Sequence, residues 1–163
     1  MIGVLVISHE PLGTAMIQCT RHIFGRMPPQ LAALDVIPDE DPARALEAAR
    51  ALVSRINDGS GVIVMTDLFG ATPSRIAAQL GDPGRVAVLA GVNLPLLVRT
   101  LTRRKGRELG ALVDDLMPAA RDAIMQVPSD MVDDLHPARQ GDDMAARLRH
   151  GARPRDDDGL PDA

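Results

Sequence analysis

The 163-residue sequence predicts a single α/β domain: a doubly wound, mainly parallel sheet with helices on both faces. Three observations carry that expectation. Four short apolar runs alternate with segments of helical periodicity, the pattern of βαβ units joined by right-handed crossovers. Two of the runs, residues 1–7 and 61–65, are almost wholly apolar, as strands buried on both faces must be, and each stops at polar residues: Ser8 and His9 in the first, Thr66 and Asp67 in the second. Finally, hydrophobic residues make up 45% of the chain, yet there is no Trp, no Tyr and only two Phe, so the core must be built from Val, Leu, Ile, Ala and Met.

The elements follow in order. Residues 1–7, MIGVLVI, are the first strand, broken by Pro11 and Gly13. Leu12, Met16, Cys19 and Ile23 then recur at helical spacing up to Gly25, which predicts a helix with those four side chains on its apolar face. Residues 31–37 read as a second strand, interrupted by Asp35 and closed by Pro38. Asp41 and Pro42 are an N-cap and first-turn pair for a helix marked by Leu46, Ala49, Val53 and Ile56 and stopped by Asp58 and Gly59. The third strand leads into TDLFGATPS. There Gly70 and Ala71 permit a tight turn, Thr72 is a good N-cap, Pro73 suits the first helical position, and the helical pattern continues to Leu80.

The cluster GDPG at 81–84 predicts a turn before a fourth strand at 85–90. Gly91 then allows close backbone approach, and Asn93 suits the cap of a helix carrying Leu96, Leu97 and Leu101. A last helical pattern covers 108–126, with Leu109, Leu112, Val113, Leu116 and Ile124 on one face and a kink or split expected at Pro118. Beyond it prolines 128, 137, 154 and 161 punctuate a segment rich in Asp, Arg and Gly, so a domain over 1–126 and a charged, Pro-rich, largely disordered tail over 127–163 are expected.

Composition excludes several classes. A net charge of −4 without a basic, aromatic-interleaved face argues against nucleic acid, and the arginines between Arg99 and Arg107 read as a solvated helix end or a partner-docking patch. Cys19, the only cysteine, rules out an internal disulfide or a multi-cysteine metal site, suits a reducing cytoplasm, and reads as a small core residue. His22, His136 and His150 carry no ligand spacing and read as surface residues, and the Asp156 to Asp158 run as a solvated tail, so no metal is expected. The opening apolar run is far too short to span a bilayer and lacks a signal-peptide flank, which predicts a cytoplasmic protein without direct membrane insertion.

Chemistry is expected where two strands end in polar groups. In a parallel sheet both tips face one edge, and the common doubly wound strand order makes the two strands neighbours, bringing the His9 imidazole within reach of the Asp67 carboxylate. A carboxylate that accepts from one ring nitrogen leaves the other free as a nucleophile. Amides around Ala71 and Thr72, with the Thr72 hydroxyl, then offer donors to phosphoryl oxygens. Each residue also has a bland reading: His9 and Asp67 as capping groups at loop ends, Thr72 and Asn93 as helix caps.

The apolar strand ending in His9, TDLFGATPS at 66–74 and AGVNLPLLV at 90–98 together resemble the mannose-family IIA component of the bacterial PEP-dependent sugar phosphotransferase system. The similarity runs from Met1 to about Gln126. It implies a phosphocarrier in which His9 accepts a phosphoryl group from HPr and passes it to a separate IIB component, with Asp67 as orienting carboxylate and Gly70, Ala71 and Thr72 as phosphate-binding loop. It further implies no metal or organic cofactor, and a homodimer formed through an exchanged C-terminal strand. Ala71 departs from the glycine often found there in the family, which is harmless only if its φ is negative. A regulatory module whose phosphorylation state is its output, a phosphoryl-donor subunit of a dihydroxyacetone kinase, and a flavodoxin-like cofactor protein are the competing readings; the lack of Trp and Tyr weakens the last.

Overall fold

The computed structural model describes residues 1–128. Four strands, β1 (Gly3–His9), β2 (Leu31–Val36), β3 (Val62–Thr66) and β4 (Val86–Ala90), form one sheet in the order β2-β1-β3-β4. Every neighbouring pair is parallel. Five helices accompany them: α1 (Leu12–Phe24), α2 (Pro42–Ile56), α3 (Thr72–Ala78), α4 (Leu94–Arg103) and α5 (Leu109–Arg121).

The sheet is covered on both faces, and β1 shows why its sequence is apolar throughout. Successive side chains of a strand point to opposite faces. Val4 and Val6 pack with Met16 of α1, Leu96 and Leu97 of α4 and Leu112 and Leu116 of α5. Leu5 and Ile7 pack on the other side with Ala45 and Ala49 of α2 and Ile76 and Ala77 of α3. Each buried Val, Leu, Ile or Met among them contributes roughly 1.5–3 kcal/mol. The chain leaves β1 toward β2 on one side and returns across to β3 on the other. The carboxyl tips of β1 and β3 therefore flank the point where the winding reverses, the crevice in which ligands of such sheets bind.

Several local expectations are corrected. The inward face of α1 is Gly13, Met16 and Thr20, while Leu12 and Cys19 are exposed and Ile23 is half-buried. Gly13 fixes this rotation: a Cβ there would lie 2.7 Å from Asp35 Oδ1 and 3.0 Å from Ser8 Oγ, so only glycine lets the helix start sit against β1 and β2. The Thr14 amide donates to the same Asp35 oxygen. Thr20 is tolerated inside because its hydroxyl donates to the Ile17 carbonyl at 2.7 Å.

Pro118 does not split α5, which runs unbroken to Arg121; Ile124 lies past its end and is 86% exposed rather than on the buried face. Nor are the arginines simply a solvated helix end. Arg104, the C-cap of α4, is 1% exposed, and its guanidinium donates to the carbonyls of Ile2, Gln30 and Pro29 at the amino-terminal edge of the sheet. Burial pushes its pKa down to about 10. Arg103 instead pairs with Asp115 at 2.8 Å. Of the segment 127–163, only 127–128 are described; His136, His150 and Asp156 to Asp158 lie outside the described residues. Among the described residues no helix is long and apolar enough to cross a membrane.

Candidate functional site

His9 is the last residue of β1 and Asp67 the first after β3, and the register Ile7 opposite Thr66 brings the two tips side by side. One carboxylate oxygen, Asp67 Oδ2, accepts the His9 backbone N–H at 3.0 Å and lies 2.7 Å from His9 Nδ1. With Asp67 ionised, Nδ1 is the protonated nitrogen and Nε2 keeps its lone pair. The His9 side chain is 53% exposed and that of Asp67 14%, so the carboxylate is recessed and the ring is presented. Partial burial pushes the Asp67 carboxyl up, but the His9 amide, the His9 ring and the Leu68 amide outweigh it and hold the group below the ordinary carboxylate range.

The backbone beneath Asp67 is braced from the tip of β4. The Gly91 N–H donates to the carbonyls of Thr66 and Asp67, 2.9 Å each, and the Val92 N–H to Thr66 at 3.0 Å. Gly91 sits at φ +88°, a conformation other residues rarely adopt, which explains the glycine in GVNLP. The Asn93 side chain then caps α4, accepting the Leu96 N–H at 2.8 Å.

The loop after Asp67 is held by the first turn of α3. Gly70, at φ +85°, donates its N–H to Ser74 Oγ at 3.2 Å and receives Arg75 Nε on its carbonyl at 3.1 Å. Ala71 has φ −74°, so alanine fits there without strain, and its N–H donates to Leu68. Ala71, not Thr72, occupies the N-cap of α3, and no side chain caps that helix. Thr72 is exposed, and neither its amide nor its hydroxyl makes a hydrogen bond to the described residues.

The fold thus joins His9 and Asp67 directly and sets Gly70, Ala71 and Thr72 on the adjoining loop, with the amides of Gly70 and Ala71 engaged inside that loop and those of Thr72 open. His22 is an exposed residue of α1. Ser74 and Arg75 were not singled out from sequence, although a hydroxyl and a guanidinium four and five residues after a turn glycine were there as signals. Gly91 was expected to allow close backbone approach, and its N–H makes that approach to Thr66 and Asp67. Beside the loop, an open groove of about 540 Å³ is lined by Phe69, by Ser74 and Ala78 near α3 and by Val86 and Val88 of β4 among others.

Comparison with known proteins yields consistent matches. The sequence profile of the EIIA-man family, described as the PTS system fructose IIA component, matches residues 3–117. The PTS system fructose-specific EIIA component of Bacillus subtilis (strain 168) is 28% identical over 141 residues, 86% of this chain and 95% of that protein. The PTS system mannose-specific EIIAB component of Escherichia coli (strain K12) is 25% identical over 104 residues, which are 63% of this chain and 32% of that longer one. In fold, the phosphotransferase system component EIIA from Streptococcus agalactiae superposes with a TM-score of 0.69 at 22% identity, covering 77% of this chain and 97% of its own.

Proposed function

The chain belongs to the EIIA-man family of phosphotransferase-system IIA components, and from that membership we propose that it is a histidine phosphocarrier, accepting a phosphoryl group on His9 from phospho-HPr and passing it to a separate IIB component. The observation that supports this reading most is the 2.7 Å contact between His9 Nδ1 and Asp67 Oδ2, which leaves the exposed Nε2 as the nucleophile.

The proposed step needs no group beyond the two proteins. The Nε2 lone pair forms a bond to phosphorus as the P–N bond of the donor phosphohistidine breaks, and that bond's electron pair returns to the donor imidazole. The proton on His9 Nδ1 stays on the ring. Phosphorylated His9 is then an imidazolium whose charge the neighbouring Asp67 carboxylate balances, and the lowered pKa of that carboxyl keeps it an anion at neutral pH. Phosphoryl transfer of this kind depends on positioning and charge stabilisation. Two hydrogen bonds to one carboxylate oxygen supply the positioning, and Gly70, Ala71 and Thr72 form the phosphate-binding loop, with the Thr72 amide and hydroxyl as its open donors.

The same reading makes residues 1–126 the phosphocarrier domain of a cytoplasmic protein, and a homodimer its working form. The outer edge of β4, which among the described residues is paired only at the Asp82–Val86 bridge, and the exposed Ile124, Met125 and Val127 that follow α5 support the dimer. The test is intact mass after incubation with phosphoenolpyruvate, enzyme I and HPr. One acid-labile phosphoryl group is expected on the wild type and none on His9→Ala; equal labelling of the two sinks the proposal.

A further inference from the structure

The carboxyl-terminal edge of the sheet is acidic where a dianion has to be held. The four connections leaving the strand tips, residues 10–11, 37–41, 67–71 and 91–93, contain Glu10, Asp39, Glu40, Asp41 and Asp67 and no lysine or arginine. A phosphoryl group on His9 places a dianion at this edge and, with the ring an imidazolium, makes it more negative by one charge; like charges at such separations repel. The nearest cations along the chain are Arg44 in the first turn of α2, which packs on the sheet face beside α3, and Arg75 in α3.

Arg75 is the one tied to the site. Its Nε donates to the Gly70 carbonyl, while Gly70's own N–H is taken by Ser74, so both peptide groups of this left-handed residue are clamped from the same helical turn. Gly70 is three residues from Asp67, at most about 10 Å of extended chain. The guanidinium is exposed, its two terminal nitrogens make no hydrogen bond, and it forms no ion pair among the described residues. A guanidinium that is anchored through one nitrogen and open on the other two is pre-organised for an oxyanion.

We propose that Arg75, clamped to Gly70, is the cation that offsets the charge of a phosphate dianion at this site and thereby favours the phosphorylated state. This rests on the phosphocarrier reading for its biological ligand, but not for its test. Titration with inorganic phosphate, followed by backbone amide NMR shifts of Gly70, Ala71 and Thr72, reads the binding of the anion without any phosphoryl transfer. Arg75→Ala should bind about fivefold more weakly, the upper range for an exposed ion pair, and the gap should shrink with added sodium chloride. Arg75→Lys restores the charge without the Nε tether and should recover most of the affinity, a rescue that a purely loop-holding role would not give. Absence of phosphate-induced shifts in the wild type, or affinities for wild type and Arg75→Ala within a factor of about two at low salt, overturns the proposal. Failure of His9 labelling by HPr with these phosphate results intact would instead sink the carrier reading alone.

Discussion

The two edges of the sheet use polar residues in opposite ways. At the amino-terminal edge, Arg104 is 1% exposed and its guanidinium is closed around the carbonyls of Ile2, Pro29 and Gln30. At the carboxyl-terminal edge, His9 is held by Asp67 on one ring nitrogen, and among the described residues its other nitrogen and the amide and hydroxyl of Thr72 have no partner. Both ends bear strand-terminal hydrogen-bonding groups. One end uses most of them in tying the chain together, leaving Arg104 Nε as a buried donor without a partner among the described residues, and the other keeps open donors and an open lone pair at a surface. A residue's polarity therefore says little about its role until its remaining hydrogen-bonding capacity is counted.

Substitutions that leave His9 in place should separate the two edges. The largest loss of stability is expected for Arg104→Met, which removes the side-chain donor from the Ile2, Pro29 and Gln30 carbonyls, of which Gln30 still accepts the Val4 N–H, and a buried contact with them; about 3 kcal/mol should be lost in urea unfolding. Wherever the variant is still folded, His9 should label as in the wild type. Asp67→Asn should do the reverse. An amide in place of the carboxylate no longer selects the Nδ1–H tautomer, so labelling by phospho-HPr should slow by about 10²-fold, with a much smaller change in unfolding midpoint.

The pH dependence of that pair sharpens the contrast further. Because the folded pKa of Asp67 is lowered, its stabilising effect is complete above the unfolded value of about 3.9 and fades as pH falls through the lower folded value. The stability difference between wild type and Asp67→Asn should therefore narrow on acidification below about 4, as followed by unfolding at each pH. The smallest effect is expected for Asn93→Ala, near the site in sequence motif but structural in role. Loss of its cap on the Leu96 amide should cost about 1 kcal/mol of stability and leave labelling unchanged.

The strands and their order were legible because parallel strands buried on both faces leave an unmistakable apolar run, and β1 and β3 each end it with a polar residue at the same edge. The pairing of His9 with Asp67 followed from that order. What stayed hidden depends on contacts distant in sequence. Arg104 looks like its neighbours Arg103 and Arg107, and only the fold brings it under Ile2 and Gln30. Cys19 is exposed and Thr20 takes the inward position because Gly13 seats α1 against Asp35 and Ser8, a close approach that periodicity does not encode. Thr72 has the chemistry of an N-cap, yet the loop geometry set by Gly70 starts the helix one residue earlier, with Ala71 as its cap.

The measurement that tests the central claim most directly is the position of the phosphoryl group on the ring, read by proton, nitrogen-15 and phosphorus-31 NMR of the protein after labelling by phospho-HPr. Asp67 occupies Nδ1, so the phosphoryl group is expected on Nε2 of His9, with the Nδ1 proton retained. A group on Nδ1, or on His22, would contradict it, because Asp67 would then not be orienting the nucleophile.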